Sequence, residues 1–177
     1  MKKELLFAGF GGQGILLIGK TIGQAAMTEG RYVTYLPSYG PEMRSGTSNC
    51  SIVISDEPIA SPLVAAVDVL VAMNQPSYVK FSPRVRNGGV MVINTTLITP
   101  DERPPAGVTI AGGDFTQQAI ELGSVQVCSM IALGHVVRES GLVALESVIQ
   151  EMKLLTAKRP EFIALNEQAL LLGYETE

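Results

Sequence analysis

The clearest chemical pattern in this sequence is a cluster of glycines near its start. Gly9, Gly11 and Gly14 satisfy G-x-G-x-x-G within Gly9-Phe10-Gly11-Gly12-Gln13-Gly14, directly after a short apolar run and ahead of a helical one. Glycines so placed permit a tight turn, leave the backbone bare for an approaching phosphate and let a helix pack close on a strand. Backbone N–H groups at the helix start then favour an anion. The dinucleotide-binding form of the pattern also wants an acidic side chain about twenty residues on, to hold a ribose hydroxyl. Here that stretch reads Thr34, Tyr35, Leu36, Pro37 and Ser38, and no Asp or Glu stands between Arg31 and Glu42. Lys20 follows Gly19 in mid-helix and lacks the glycine spacing of a phosphate-binding P-loop. Three readings of the turn stay open: a strand-to-helix junction only, a contact with a phosphate-bearing ligand, or a dinucleotide site.

A second cluster lies in residues 37–48, a segment without hydrophobic period that carries Pro37, Gly40, Pro41 and Gly46. A loop of this length in a compact domain is usually functional or disordered. Tyr39, Glu42 and Arg44 place three polar-tipped side chains just past the end of an expected strand, the edge where ligands collect in parallel sheets. The planar fork of Arg44 can clamp a carboxylate or phosphate, with Glu42 orienting it. The plain alternative is a surface ion pair worth under ~1 kcal/mol.

The remaining reactive residue types give less. His135 is the only histidine, with no cysteine or second histidine near it in sequence, and reads as a satisfied structural residue within a helix. Cys50 and Cys128 lie 78 positions apart and form no CxxC pair, zinc ribbon or four-cysteine cluster site. Ser129 has no G-x-S-x-G context. Asp56-Glu57 and Asp101-Glu102 read as solvated turn acids. The methionines at 73, 91, 130 and 152 read as core filler, while Met43 falls in the loop.

These side chains need a frame, and the hydrophobic pattern supplies one. Strands are expected at 5–8, 31–36, 50–55, 68–73, 89–94 and 108–111, each apolar or β-branched and flanked by turn residues. Helices are expected from the glycine turn to Thr28, with Gly30 as its stop, and at 77–81, 116–122, 129–139, 142–155 and 161–172. Val143, Leu145, Val148, Ile149, Met152 and Leu155 recur at spacings of three and four. Residues 1–36 thus read as a Rossmann-like βαβ unit, and the chain as an α/β protein: a three-layer α/β/α sandwich on a mostly parallel, mixed sheet.

The sequence has 177 residues, 46% of them apolar, which suits a single domain over 1–177 with a sizeable core. A net charge of −4 with no long basic run excludes the electrostatic footprint of a nucleic-acid binder. No apolar stretch approaches the ~18–20 residues of a membrane span, and the first apolar run meets glycines too soon for a signal peptide. A cytoplasmic protein with reduced thiols is expected. Charged residues make up only 17%, against a typical ~25%, and mean hydropathy is +0.27. Either a buried sheet or a face covered by a partner accounts for that.

Gly11-Gly12-Gln13-Gly14 and the loop Tyr39-Gly40-Pro41-Glu42-Met43-Arg44-Ser45-Gly46 resemble the gamma subunit of 2-oxoacid:ferredoxin oxidoreductases. The likeness extends to Asp68-Val69-Leu70-Val71-Ala72-Met73-Asn74-Gln75 and Met130-Ile131-Ala132-Leu133-Gly134, covers the chain to about residue 140, and lies nearest the 2-oxoglutarate branch. Ser45 replaces the middle glycine of the family's arginine–glycine–glycine pattern. The resemblance implies an accessory subunit of a complex that oxidatively decarboxylates a 2-oxoacid to an acyl-CoA and passes electrons to ferredoxin. Gly112-Gly113-Asp114 is not the Gly-Asp-Gly motif that holds thiamine diphosphate in such enzymes. Thiamine diphosphate, Mg and iron–sulfur clusters are therefore expected on alpha, beta and optionally delta subunits, with this chain inactive alone. Gly9, Gly11, Gly12, Gln13, Gly14, Tyr39, Glu42, Arg44, Ser45 and Gly46 are the expected cofactor-binding residues, the chain either covering the active site or touching coenzyme A, whose phosphates would suit the glycine turn or Arg44. A free-standing nucleotide-binding oxidoreductase and a purely structural subunit are the rival readings.

Overall fold

A computed structural model of the chain describes residues 1–38, 48–101 and 106–176. Its strands are β1 (Lys2–Gly9), β2 (Tyr32–Ser38), β3 (Ser48–Ser55), β4 (Val67–Ala72), β5 (Val85–Asn94) and β6 (Thr109–Gly113). Its helices are α1 (Ile15–Thr28), α2 (Gln75–Phe81), α3 (Phe115–Glu121), α4 (Cys128–Ser140), α5 (Leu145–Leu155) and α6 (Ile163–Glu175). Each expected element is present, with ends displaced by a few residues. Val143 of the period that predicts α5 is buried ahead of the helix, which starts two residues later.

The strands form one mixed sheet in the order β2-β3-β1-β4-β5-β6. The run β1-β4-β5-β6 is parallel, and β3 pairs antiparallel with both β1 and β2. Strands β1 and β2 therefore run the same way, as a βαβ unit requires, but β3 is inserted between them. The expected loop 37–48 is shorter than its sequence suggests: Pro37 and Ser38 belong to β2 and Ser48 to β3, held there by the Ser38↔Asn49 and Gly9↔Ser48 pairings, and residues 39–47 lie outside the described ones. The strand β2 runs on through Pro37, which an edge strand tolerates because the missing N–H costs no ladder bond there.

Strand β1 is apolar on both faces because the sheet is covered on both. Leu5 and Phe7 join a large core with Ile52, Val71 and residues of α1, α3, α4, α5 and α6. Leu6 and Ala8 point to a smaller core with Leu70, Ile93, and Tyr78 and Phe81 of α2. Ten consecutive residues of α4, Cys128 to Val137, are buried, since α4 lies between the sheet and α6. Met73, Met91, Met130 and Met152 fill these cores as expected. Gly30, at φ 83°, follows the C-cap of α1 in the left-handed conformation that ends a helix without a Cβ penalty.

Charge is concentrated at the amino end of the sheet. Glu4 is paired with Lys2 at 2.8 Å and with Arg86, and Asp68 with Arg86 at 2.9 Å and Lys3 at 3.3 Å. Burial pushes the Glu4 carboxyl up, but the hydrogen bonds and charges of Lys2 and Arg86 outweigh it and hold it below its ordinary value. The opposite end carries no such network among the described residues, and there the glycine turn sits.

Candidate functional site

The turn between β1 and α1 is held by one side chain. Gln13 Oε1 accepts from the Phe10 N–H at 2.6 Å and from Asn74 Nδ2 at 3.0 Å, and Gln13 Nε2 donates to the Met73 carbonyl at 3.2 Å. Asn74 in turn caps α2, its Oδ1 accepting from the Ser77 N–H at 2.9 Å. The exits of β1 and β4 are thus locked together at the carboxyl edge of the sheet.

The three pattern glycines serve three ends. A Cβ on Gly9 would stand 2.8 Å from Gln13 Oε1 and 3.2 Å from Met73 Cβ, so Gly9 makes room for the clamp. Gly14, at φ 75°, caps α1, and a Cβ there would come within 3.0 Å of Ser129 Oγ in the first turn of α4. The amino ends of α1 and α4 are pressed together at that point. Gly11 meets nothing within 4 Å and takes no left-handed φ. No contact within the fold requires glycine there; its bare backbone faces an open hollow of about 340 Å³ shared with Phe10, Leu17 and Ser48.

On the other side of the turn lies a cleft of about 260 Å³. Gly12, Gln13 and Met73 form one wall, and Thr116, Gln126 and Cys128 another. Leu97 and Val125 line it as well and are 46% and 54% exposed, so its rim is apolar. Three helices, α1, α3 and α4, start around it, which makes the local field favourable to negative charge. Asn94, at the end of β5, donates to Thr116 Oγ1 at 2.8 Å and fixes the start of α3. Cys128 packs against the same pair, and burial raises its thiol above the ordinary range despite a bond to Thr116, so it lines the cleft as an unreactive surface.

Asn94, Thr116 and Gln126 are site residues that motif reading passes over, and Asn74 stands in the family-like run Asp68 to Gln75 with no role read from it. Asn74 and Asn94 do carry a signal: each is the first polar residue after an apolar strand run, the position that reaches the carboxyl edge of a parallel sheet.

The structure brings Gly9, Gly11, Gly12, Gln13 and Gly14 to this edge. Tyr39, Glu42, Arg44, Ser45 and Gly46 lie outside the described residues, as do Met43, Glu102, Pro104 and Pro105. The bracketing residues, Ser38 and Ser48, both sit at the carboxyl edge, two strands and one strand away from the start of the turn.

Strand order argues against a dinucleotide site. That site draws its ribose-binding acid from a β2 adjacent to β1. Here β3 separates them, placing the end of β2 about 9.5 Å from β1 at two inter-strand spacings, and it offers Pro37 and Ser38.

His135 is structural but not satisfied. It is 1% exposed, stacks on Phe115 at 4.9 Å between ring centroids, and neither ring nitrogen has a hydrogen-bond partner among the described residues. Burial, then the charge of Arg138, drops its pKa to about 4, against a smaller opposing effect of Glu139. Cys50 of β3 is fully buried against α1, and burial pushes its thiol up to about 12. Among the described residues no group of three or more His, Cys, Asp or Glu is placed to hold a metal ion, and no helix is long and apolar enough to cross a membrane.

A mixed sheet with helices on both faces and a glycine turn at its carboxyl edge defines an α/β protein of the class whose ligand crevices form at that edge. Comparison with known proteins narrows this. Residues 4–176 match the family model described as pyruvate ferredoxin/flavodoxin oxidoreductase, and the chain belongs to that family. It is 38% identical over 177 residues to the 2-oxoglutarate synthase subunit KorC of Methanocaldococcus jannaschii, covering 99% of this chain and 94% of the relative. It is 39% identical over 170 residues to the ketoisovalerate oxidoreductase subunit VorA of Methanothermobacter thermautotrophicus. That match covers 95% of this chain but only 35% of VorA, so the chain spans about a third of that relative's length. The crystal structure of the gamma subunit of a keto/oxoacid ferredoxin oxidoreductase from Geobacter sulfurreducens superposes with a TM-score of 0.83 at 31% identity, covering 98% of this chain and 96% of that one.

Proposed function

We propose that this chain, as a single domain over residues 1–177, is the accessory gamma subunit or gamma-like part of a thiamine diphosphate-dependent 2-oxoacid:ferredoxin oxidoreductase. The complex would oxidatively decarboxylate a 2-oxoacid such as 2-oxoglutarate, form an acyl-CoA and pass electrons to ferredoxin. The observation that carries this reading is the near end-to-end match to the KorC relative.

In this reading thiamine diphosphate, Mg and the clusters sit on alpha, beta and optionally delta subunits in the cytoplasm. The role of this chain is to complete the assembly and offer its carboxyl edge to coenzyme A. Two features support that. The bare Gly11 backbone and the helix starts around the cleft suit the phosphates of coenzyme A. The exposed apolar side chains Phe10, Leu97 and Val125 stand around the same edge, as a rim covered by another chain would need.

Two measurements test it. Tagged chain should co-purify with subunits bearing the thiamine and cluster motifs, and should show no turnover when pure. Nicotinamide-dependent turnover by the chain alone would overturn the reading. In the assembled complex, Arg44→Ala should raise the apparent KM for coenzyme A; an unchanged KM would leave the loop an interface element without ligand contact.

A further inference from the structure

Asn94 is fully buried at the end of β5, directly behind two residues that line the cleft at the glycine turn, Thr116 and Cys128. Its Oδ1 accepts from the Thr116 N–H at 3.4 Å. A backbone N–H can only donate, so the oxygen of the carboxamide is the end turned to it and the nitrogen faces the side chains. Nδ2 donates to Thr116 Oγ1 at 2.8 Å and, more weakly, to Cys128 Sγ at 3.9 Å. The whole carboxamide is spent on the cleft wall.

A hydroxyl that accepts from a carboxamide still has its own proton to place. Among the described residues that proton has one taker, Cys128 Sγ at 3.8 Å, and a sulfur is a weak acceptor. If the thiol donates to Oγ1 instead, the hydroxyl proton is free altogether. No carboxylate lines the cleft among the described residues, so no stronger acceptor within the wall competes for it. Water takes the proton in the open cleft, and a ligand oxygen can displace that water while the hydroxyl only rotates.

We propose that Thr116 is a ligand contact and Asn94 its positioning residue: the carboxamide holds Oγ1 from behind, and the hydroxyl donates forward to an acceptor oxygen of coenzyme A. This rests on the reading that the cleft receives coenzyme A. It adds to that reading a directed side-chain donor, set by a buried group that itself never touches the ligand.

Steady-state kinetics of the assembled complex test the proposal. Thr116→Val, close in shape but without the hydroxyl, should raise the KM for coenzyme A by about threefold to tenfold, the loss of one hydrogen bond, without a matching rise in the KM for the 2-oxoacid. Thr116→Ser keeps the donor and should stay within about twofold of wild type. Asn94→Leu should raise the KM for coenzyme A several-fold. The double variant Asn94→Leu/Thr116→Val should be no worse than Thr116→Val, because an absent hydroxyl cannot be positioned. Additive effects in the double variant, or a Thr116→Ser as impaired as Thr116→Val, would leave the pair a packing role only and overturn the proposal. Thermal unfolding and co-purification check that each variant folds and assembles; if Asn94→Leu does not, Asn94→Ala takes its place in the same cycle. Leu97→Glu, a charge set on the exposed rim of the cleft, separates the two ways of failing. If it raises the KM for coenzyme A and Thr116→Val does not, the cleft reading stands and the Thr116 contact falls. If neither variant moves that KM, the cleft is not the coenzyme A site and both fall.

Discussion

The carboxamides of Gln13 and Asn74 are joined at 3.0 Å across 61 residues of chain, and through them the glycine turn is tied to the cap of α2. Gln13 is the shared centre of three hydrogen bonds, two of them to backbone groups of the turn and of the β4 exit. Its position in Gly9-Phe10-Gly11-Gly12-Gln13-Gly14 is therefore a matter of building the turn, which then leaves Gly11 bare.

Gln13→Ala should remove the clamp and cost about 1–3 kcal/mol in denaturant unfolding, the range for orphaning partly buried polar groups. Gln13→Glu keeps the acceptor but loses the donor to the Met73 carbonyl. It should fall between wild type and alanine or below both, never at wild-type stability.

Gly11 predicts the reverse. With nothing within 4 Å of a Cβ there, Gly11→Val should change stability by no more than about 0.5 kcal/mol. If the bare backbone receives coenzyme A, the same variant should raise the KM of the assembled complex for coenzyme A with little effect on that for the 2-oxoacid. A normal KM would show that the ligand approaches elsewhere.

Gly14 and Ser129 form a pair that a double-mutant cycle can separate. Gly14→Ala adds a Cβ that collides with Ser129 Oγ and also forces φ 75° on a residue with a side chain. Its cost, about 1–3 kcal/mol, should be relieved only in part by Ser129→Ala, because the strain in φ remains and Ser129 Cβ is still 3.1 Å away. Complete rescue by Ser129→Ala would show that the left-handed backbone carries no cost.

Much of this frame is legible in the sequence because local signals agree. The apolar run into β1 ends in glycines, α1 stops before Gly30, and each later strand is bounded by turn residues. The antiparallel insertion of β3 is not legible: strand direction and neighbour are decided by which faces find cover, and an apolar run such as Ile52-Val53-Ile54 is equally suited to either. The cleft wall is hidden for a related reason. Asn94, Thr116, Gln126 and Cys128 come from separate segments and meet only because β5, α3 and α4 start or end at one edge.

The same applies to Gly134 and Gly173, which read as ordinary small helical residues. In the fold, α4 and α6 cross so closely that a Cβ on Gly134 would run into the Leu170 carbonyl and one on Gly173 into the Ile131 carbonyl. Backbone cannot swing aside as a side chain can. Gly134→Ala and Gly173→Ala should therefore each cost about 1–3 kcal/mol or more, as overpacking does, and loosen α6. Hydrogen exchange should show protection lost in α6 before the sheet; uniform loss across the sheet would contradict a local crossing effect.

His135 makes stability depend on pH in a defined window. Its folded pKa of about 4 lies below the ordinary 6.5, so the unfolded chain binds a proton more readily than the folded one. The contribution is complete above 6.5 and is lost as pH falls from there toward 4, where the imidazole must charge against Phe115 with no partner for either nitrogen among the described residues. The full difference is about 3 kcal/mol at one pKa unit per 1.36 kcal/mol. Glu4 also has a depressed pKa, so wild type alone does not isolate the histidine. His135→Leu does. The gap in unfolding free energy between wild type and His135→Leu should shift in favour of the variant as pH drops from 7 to 4.5, while the two curves run parallel above 7. A gap that stays constant over that range would mean that His135 finds a proton acceptor in the folded state.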